Sequence, residues 1–314
     1  MDQLSEVFEL VNVRGVVSGG FAVRGRWVSR GELQESLKFI AVIAGRARLR
    51  ADGADGADGA DGTDEAVELE PGDVAILNGR SWMELSGGSG DGPVHEIAPE
   101  EAGRLTAADW TTDDVILGGR IDLNEAGRTL LLEALPPVAH VRASPTTGAN
   151  LRGSLHRLFD EVAGDRIGST FAIRQHAQLV LLEVLRAYVE QADLPPGWLR
   201  VLTDDRLRPA LTLMHSQPDK LWGLNELAQA GAMSRTSFAE RFRDVAGMPP
   251  RTYLSRWRMM LAQRALRDAD VTVGSLATEL GYASESAFST AFKREVGESP
   301  LRYRYRVRDQ ALSR

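Results

Sequence analysis

Two stretches of the sequence combine small polar and basic side chains on one face of an expected helix. In each stretch, a pair of phenylalanines four residues apart marks the opposite, buried face. Small and hydroxyl side chains can approach base edges in a major groove, and Lys or Arg can neutralise phosphate. The residues expected to make such contacts are Arg235, Thr236, Ser237, Ala239, Glu240 and Arg243 in the first stretch, and Glu285, Ser286, Ser289, Thr290, Lys293 and Arg294 in the second. The alternative is a pair of solvated amphipathic faces, which any helical bundle has.

The two stretches belong to a duplicated segment. At an offset of 50 residues the same residue types recur as Gly231 and Gly281, Ser234 and Ser284, Phe238 and Phe288, Phe242 and Phe292, Gly247 and Gly297, Pro250 and Pro300, and Tyr253 and Tyr303. Upstream of these, Leu227-Ala228 matches Leu276-Ala277 at an offset of 49, with one extra residue before the second glycine. A duplicated segment of this size is a supersecondary element rather than a whole fold.

Each copy predicts two short helices joined by a tight turn. Gly231 can adopt a positive φ and end the first helix, and Ser234 is a good N-cap for the second. Gly247 then ends the second helix. The sequence therefore predicts two helix-turn-helix units, at residues 224–247 and 273–297.

A single long helix is predicted between the two units, from Pro250 to Asp268. At ~1.5 Å per residue it spans roughly 27 Å, a little less than the ~34 Å of one turn of duplex DNA. The two second helices could then enter successive major grooves. A basic run near the end of the chain, Arg302 to Arg308, is expected either to touch phosphate or to be a solvated tail.

This segment resembles the DNA-binding domain of the AraC/XylS family of bacterial transcription regulators. The residues that carry the resemblance are Leu227-Ala228, Gly231, Met233-Ser234, Phe238, Phe242, Gly247, Pro250, Tyr253, Trp257-Arg258, Ala262, Leu266, Ala277, Gly281-Tyr282, Phe288, Phe292-Lys293, Gly297, Ser299-Pro300 and Tyr303-Arg304. The resemblance implies binding to double-stranded DNA, with the second helix of each unit as the reader.

The charge of the chain is unevenly distributed. Residues 201–314 contain 18 Lys and Arg against 13 Asp and Glu, a net charge of +5, which leaves −12 for residues 1–200. A basic module on an acidic partner is typical of a fused DNA binder. The absence of cysteine fits a reducing compartment. With no secretory signal and no apolar run near the ~18 residues of a membrane span, a cytoplasmic protein is expected.

Short strands between Gly-rich and Pro-containing turns are predicted from residue 7 to about 120. The buried run LKFIAVI, the turn at Gly45 and the segment Pro71-Gly72-Asp73-Val74 resemble the cupin-type sensory domain attached to many AraC-like regulators. That resemblance implies a β-barrel and a small organic effector. Aromatic residues on strands often line such sites, and the candidates Trp27, Phe39 and Trp82 are equally compatible with a structural core.

The pattern departs from metal-binding cupins, which place two or three His and a Glu on adjacent strands. No His lies on the strand before Gly45, Trp82 stands where a ligand is common, and His95 is expected to be structural. We therefore expect no metal, no cofactor and no catalytic residue.

A helical hairpin is predicted from Leu151 to Ala192, with an apolar stripe that includes Leu181. The stripe fits either dimerisation or packing on a neighbouring domain, so a homodimer is one expectation. The fold class is α+β, comprising a cupin-like barrel (1–145), the hairpin (146–198) and a helical DNA-binding domain (199–314).

The expected function is a sequence-specific transcription regulator that responds to a small effector. An activator of this kind would also contact RNA polymerase. The alternatives are a metal-independent cupin enzyme fused to a DNA-binding domain, and a DNA binder without an effector.

Overall fold

A computed structural model describes residues 3–10, 17–52, 66–98, 113–121, 123–143, 148–164 and 166–312. The chain forms two compact units. Val13–Asp193 form one, here called the sandwich unit. Met1–Asn12 and Leu194–Arg314 together form the other, the helical unit.

The described strands are β1 (Val17–Val23), β2 (Trp27–Glu32), β3 (Leu37–Ala44), β4 (Ala47–Ala51), β5 (Val67–Leu69), β6 (Val74–Asn78), β7 (Trp82–Gly87), β8 (His95–Glu96), β9 (Asp114–Arg120) and β10 (Val138–Val141). The described helices are α1 (Gln3–Leu10), α2 (Glu125–Ala134), α3 (Gly148–Ala163), α4 (Ser169–Gln191), α5 (Trp198–Thr203), α6 (Arg208–Ser216), α7 (Leu224–Ala230), α8 (Arg235–Ala246), α9 (Pro250–Asp268), α10 (Val273–Glu279), α11 (Glu285–Val296) and α12 (Pro300–Leu312).

The sandwich unit contains two five-stranded sheets, ordered β1-β9-β3-β6-β10 and β5-β4-β7-β2-β8. Both sheets contribute to one apolar core, with Ile40 and Val42 from β3 and Leu49 from β4 among its buried members. Arg48 is exposed between two buried neighbours on β4, so one face of that strand is exposed to solvent. The expected α+β class is confirmed, and the predicted barrel consists of two open sheets.

Asp73, from the Pro71-Gly72-Asp73 turn, ties three segments of the sandwich unit together. Its carboxylate accepts hydrogen bonds from the backbone N–H groups of Glu70 (3.1 Å) and Ala143 (2.7 Å) and pairs with Nε2 of His140 (2.9 Å). Burial alone would raise the pKa of Asp73, but these hydrogen bonds outweigh it and lower the pKa below its ordinary value. The motif that carried the cupin resemblance therefore has a structural role in this chain.

The helical hairpin is present as α3 and α4, and its apolar stripe is buried. Leu155 and Leu158 of α3 are fully buried, and Leu181 of α4 is 5% exposed. The stripe packs between the two helices and against the sheet, since α3 contacts β3 and α4 contacts β10. The large apolar side chains that α4 leaves exposed lie outside this stripe, at Phe171 (66%) and Leu179 (49%).

The helical unit includes α1, although this helix precedes every strand in the sequence. Val7 and Leu10 are buried, and α1 packs on α6 and α9. The segment 1–145 predicted for the sensory domain thus begins with a helix that packs in the other unit. The apolar face of α1 packs on helices that lie about two hundred residues later in the sequence. Local sequence patterns do not reveal such a contact.

Candidate nucleic-acid interface

The ends of α8 and α11, the two expected recognition helices, are built in the same way. The Ser234 hydroxyl accepts a hydrogen bond from the backbone N–H of Ser237 at 3.1 Å, and the Ser284 hydroxyl accepts one from Ala287 at 3.1 Å. Both helices end at a glycine with positive φ, Gly247 (+69°) and Gly297 (+90°). The predicted caps are therefore observed in both repeats.

The buried faces of the recognition helices also share one geometry. The rings of Phe238 and Phe242 are 5.7 Å apart at 51°, and those of Phe288 and Phe292 have the same separation and angle. A tyrosine from the following helix meets the second phenylalanine edge-on in both repeats, at 5.5 Å in the first and 5.6 Å in the second. Such contacts fix the rotation of each helix about its own axis, and hence the face that it exposes.

The exposed faces contain the residues predicted from the sequence. Ala239 and Ser289 are half-buried, and the other ten side chains are exposed: Arg235, Thr236, Ser237, Glu240, Arg243, Glu285, Ser286, Thr290, Lys293 and Arg294. Arg241 points the other way and pairs with Asp204 at 2.7 Å, which anchors α8 to the end of α5. Each recognition helix thus presents a continuous polar and basic face.

The turns of the two repeats align differently from the expectation. Gly231 has φ −86°, and the residue with positive φ is Ala232 (+50°). In the second repeat, Leu280 has φ −100° and Gly281 has φ +72°. Gly231 is therefore equivalent to Leu280, and Ala232 to Gly281.

Backbone hydrogen bonds support this alignment. Met233 N–H donates to the Ala228 carbonyl, and Tyr282 N–H donates to the Ala277 carbonyl, both at 2.9 Å. The offset of 49 thus continues through the turn, and the extra residue of the second repeat lies after Tyr282. The expectation that Gly231 supplies the positive φ is wrong. A glycine is needed at position 231 because a Cβ there would lie 2.7 Å from the Arg206 carbonyl oxygen.

A pair of arginines at the repeat offset was not predicted as functional. Arg258 donates from Nε to the Pro218 carbonyl and from Nη2 to the Lys220 carbonyl at 3.1 Å, which secures the loop between α6 and α7. Arg308 donates from Nη2 to the Ala269 carbonyl at 2.6 Å, which secures the loop between α9 and α10. Their separation of 50 residues was the available signal in the sequence.

The basic run at the end of the chain makes contacts inside the helical unit. Arg304 donates to the Val271 carbonyl, and Arg306 pairs with Glu298 at 2.6 Å. Together with Arg308, these residues attach α12 to the loop before α10 and to the end of α11. Arg304, Arg306 and Arg308 are therefore not a free solvated tail, and phosphate contact by this run stays a prediction.

Comparison with known proteins agrees with this geometry. A family model described as a helix-turn-helix domain matches residues 227–306, and one described as cupin matches residues 2–190. Proteins from Streptomyces lividans and Streptomyces antibioticus are each 34% identical over 97% of this chain and 98% of their own length. Both are named AraC-like transcription regulators. The chain belongs to the AraC family.

A solved structure with similarity to this AraC-family regulator is the DNA-binding domain of AdpA in complex with a target DNA. It is 31% identical, covers 34% of the regulator and 96% of its own chain, and has a TM-score of 0.33. The family matches and the full-length relatives, independently of this structure, show that the chain is a DNA-binding transcription regulator with an N-terminal cupin-type domain.

The three aromatic residues expected to bind an effector do not lie together in the regulator. Trp27 is 1% exposed within the sandwich core and donates from Nε1 to Asp114 at 2.6 Å. Phe39 alternates with the core residues Ile40 and Val42, so it lies on the other face of β3. Trp82 is half-buried at the start of β7. Trp82 precedes the core residue Met83 on β7 and so points away from the core, which separates it, like Phe39, from Trp27.

Among the described residues of the regulator, no three His, Asp or Glu side chains are grouped as metal ligands would be. His95 is exposed on β8. The described helices also include none that is long and apolar enough to cross a bilayer.

Proposed function

We propose that the regulator reads two successive major grooves of one DNA duplex, with α8 in the first groove and α11 in the second. The observation that carries this proposal is that the same buried aromatic geometry and the same caps occur twice in one unit. Two helices fixed in this way expose equivalent faces, and α9 connects them. At ~1.5 Å per residue α9 is about 27 Å long, slightly shorter than one turn of B-DNA.

On these faces, different residues have different roles. Thr236, Glu240, Ser286 and Thr290 have short or acidic side chains suited to base edges, and they would determine sequence preference. Lys293 and Arg294 lie in the last turn of α11 and are suited to phosphate, which contributes affinity without sequence information.

We further propose that the sandwich unit binds a small organic effector, that the regulator acts as a cytoplasmic homodimer without a metal or other cofactor, and that it is not an enzyme. If it activates transcription, RNA polymerase is a further partner. The family supports the effector, and the missing histidines before Gly45 support the absence of a metal. The exposed Phe171 and Leu179 supply an apolar face on α4 for a second copy.

The alternative of an effector-independent DNA binder leads to a different result in a simple assay. Such a protein would bind with little sequence preference, so unrelated DNA would compete almost as well as a selected site. The repeated, exposed recognition faces favour the sequence-specific reading.

The test of the DNA contacts is a pair of substitutions in the full-length chain. Thr236→Ala should change base preference in one half of the selected site by about 1–3 kcal/mol per lost base contact. Lys293→Ala should weaken binding to all sequences alike and reduce the salt slope by about one unit. Both effects can be measured by titrating fluorescent duplexes at several salt concentrations.

The control for Lys293→Ala is Arg48→Ala, which removes one positive charge from the exposed face of β4 in the sandwich unit. It should leave both affinity and salt slope unchanged. If Thr236→Ala and Lys293→Ala also left DNA binding unchanged, the assignment of α8 and α11 as readers would be wrong.

A further inference from the structure

The loop between α6 and α7, residues 217–222, lies between the connecting helix α9 and the second helix-turn-helix. Arg258 holds the loop from the α9 side and is only 8% exposed. Its guanidinium reaches two carbonyl oxygens of the loop, those of Pro218 and Lys220. A guanidinium presents several donors in a fixed planar fork, so it can hold both carbonyls at once, which an ammonium group does less well.

The second repeat contacts this same loop from the other side. A Cβ at Gly281 would lie 1.9 Å from the carbonyl oxygen of Asp219, so the two backbones are in direct contact there. The ring of Tyr282 faces the Arg258 guanidinium, with 5.6 Å between the guanidinium carbon and the ring centroid. Arg258 thus contacts both the loop that leads into the first helix-turn-helix and the turn of the second.

The residues that contact Arg258 and its loop also pack against α11, the second recognition helix. Tyr282 packs edge-on against Phe288 at 5.4 Å, and Phe288 lies in the first turn of α11. Gly281 and Tyr282 also form the turn that precedes α11. A shift of the loop relative to α9 would therefore be transmitted to the position of α11.

The equivalent arginine of the second repeat provides an internal comparison. Arg308 also binds the loop before its own helix-turn-helix, at the Ala269 carbonyl and beside Asp270. It follows the last helix-turn-helix of the chain, whereas the loop bound by Arg258 is also contacted by the next repeat. Each arginine binds the loop before one helix-turn-helix. Only the loop bound by Arg258 also contacts the other repeat.

We propose that Arg258 is a positioning residue that sets the separation of α8 and α11, and hence the spacing between the two half-sites that the regulator accepts on DNA. The inference rests on the proposed reading of two grooves. Arg258 acts through the loop and the turn, and it needs no contact with DNA for this role.

The experiment measures spacing preference rather than affinity alone. Full-length regulator selects duplexes from a random-sequence pool, and a selected duplex is shortened to the two half-sites that one copy covers. It is then resynthesised with one or two base pairs inserted or deleted between these half-sites. For the wild type, a wrong spacing should lower affinity by about 10²-fold, because only one recognition helix can then engage. Duplexes that keep a single half-site measure each helix separately.

Arg258→Met should keep the affinity of each single half-site within about threefold of the wild type but discriminate between spacings less than about tenfold, since the linkage is loosened. Arg308→Met is the matched control, and it should keep the wild-type spacing profile. Arg258→Lys keeps the charge and tests the fork geometry if Arg258→Met does not fold. It should flatten the profile in the same direction.

An Arg258→Met or folded Arg258→Lys protein with the wild-type spacing profile would overturn the inference. So would an Arg308→Met protein with the same flattened profile as Arg258→Met, since the effect would then come from loop clamping in general. A wild type that shows no spacing preference contradicts the proposed reading of two grooves and the inference with it, whereas a spacing-selective wild type leaves only the role of Arg258 in question.

Discussion

At the scale of single residues, two factors determine which residue fits the turn of each repeat. One is the positive φ of the turn, and the other is the distance to the backbone of a neighbouring segment. Gly281 combines φ +72° with direct contact between its backbone and the Asp219 carbonyl. Ala232 occupies the equivalent position of the first repeat at φ +50° with an ordinary Cβ. The same turn therefore excludes a side chain in one repeat and accepts a methyl group in the other.

Gly281→Ala should destabilise the helical unit by more than about 2 kcal/mol, because the new Cβ adds left-handed strain and also forces two backbones apart. The matched change Ala232→Gly should alter the free energy of unfolding by less than about 1 kcal/mol, since relief of strain offsets the freedom of glycine in the unfolded chain. Urea unfolding followed by circular dichroism measures both variants. Equal effects would contradict the assigned equivalence of the two positions.

Local signals were sufficient to predict the caps and the buried faces of α8 and α11. Ser234, the phenylalanine pairs and Gly247 act over a few residues, so their roles followed from spacing alone. The roles of Gly231 and Arg258 depend on the carbonyl groups of Arg206 and Pro218, which belong to other elements. The residue type at one position does not indicate which distant carbonyl group it will contact. The 50-residue offset between Arg258 and Arg308 was the one sequence feature that could have indicated a shared role.

At the scale of helices, α1, α6 and α9 meet at a buried histidine. His215 pairs through Nδ1 with Glu6 at 2.8 Å and through Nε2 with the Tyr253 hydroxyl at 3.0 Å. Its ring stacks on Trp257 at 3.8 Å. Burial lowers the pKa of His215 and outweighs the opposing effect of Glu6. Burial also raises the pKa of Tyr253, which therefore stays protonated.

This histidine should make the stability of the helical unit depend on pH. In the unfolded chain an imidazole binds a proton near pH 6.5, while the buried ring of His215 resists protonation. The unfolded state then binds more protons, so the free energy of unfolding should fall as the pH drops below about 6.5. Denaturant unfolding at pH 7.5, 6.5 and 5.5, read by hydrogen exchange in α6 and α9, measures this fall.

His215→Gln should lower stability at pH 7.5 and remove most of the pH dependence in α6 and α9. His95→Gln, which changes an exposed histidine of the sandwich unit, is the control and should leave that dependence intact. A His215→Gln protein with the wild-type slope would show that another group is responsible.

At the scale of the whole molecule, the helical unit is assembled from both ends of the chain. Glu6 and His215 are 209 residues apart, which is why sequence patterns did not associate α1 with the DNA-binding helices. The helical unit also includes residues 194–198, which precede the predicted start of the DNA-binding domain at residue 199. Gly197 donates its N–H to the Val245 carbonyl at 2.9 Å, and Leu199 is buried, so both residues belong to the packing of this unit.

Two substitutions in α4 should have different effects because one residue is buried and the other is exposed. The sequence alone did not distinguish these two positions. Leu181→Glu would place an unpaired carboxylate at a buried position of α4, so it should unfold the hairpin. Phe171→Glu changes a side chain that is 66% exposed, so the sandwich unit should stay folded while the proposed dimer dissociates. Val94→Glu, at an exposed apolar residue outside α4, is the matched control and should remain dimeric.

Sedimentation and DNA titration together test this proposal of a dimer through α4. Two linked copies gain about 10²–10⁴-fold in apparent affinity on a repeated site when both can engage. Phe171→Glu should lose that gain yet bind a single site like the wild type, because its recognition helices are unchanged. A Phe171→Glu protein that still sediments as a dimer would place the contact between copies outside this face of α4, and a wild type that sediments as a monomer would remove the dimer from the mechanism.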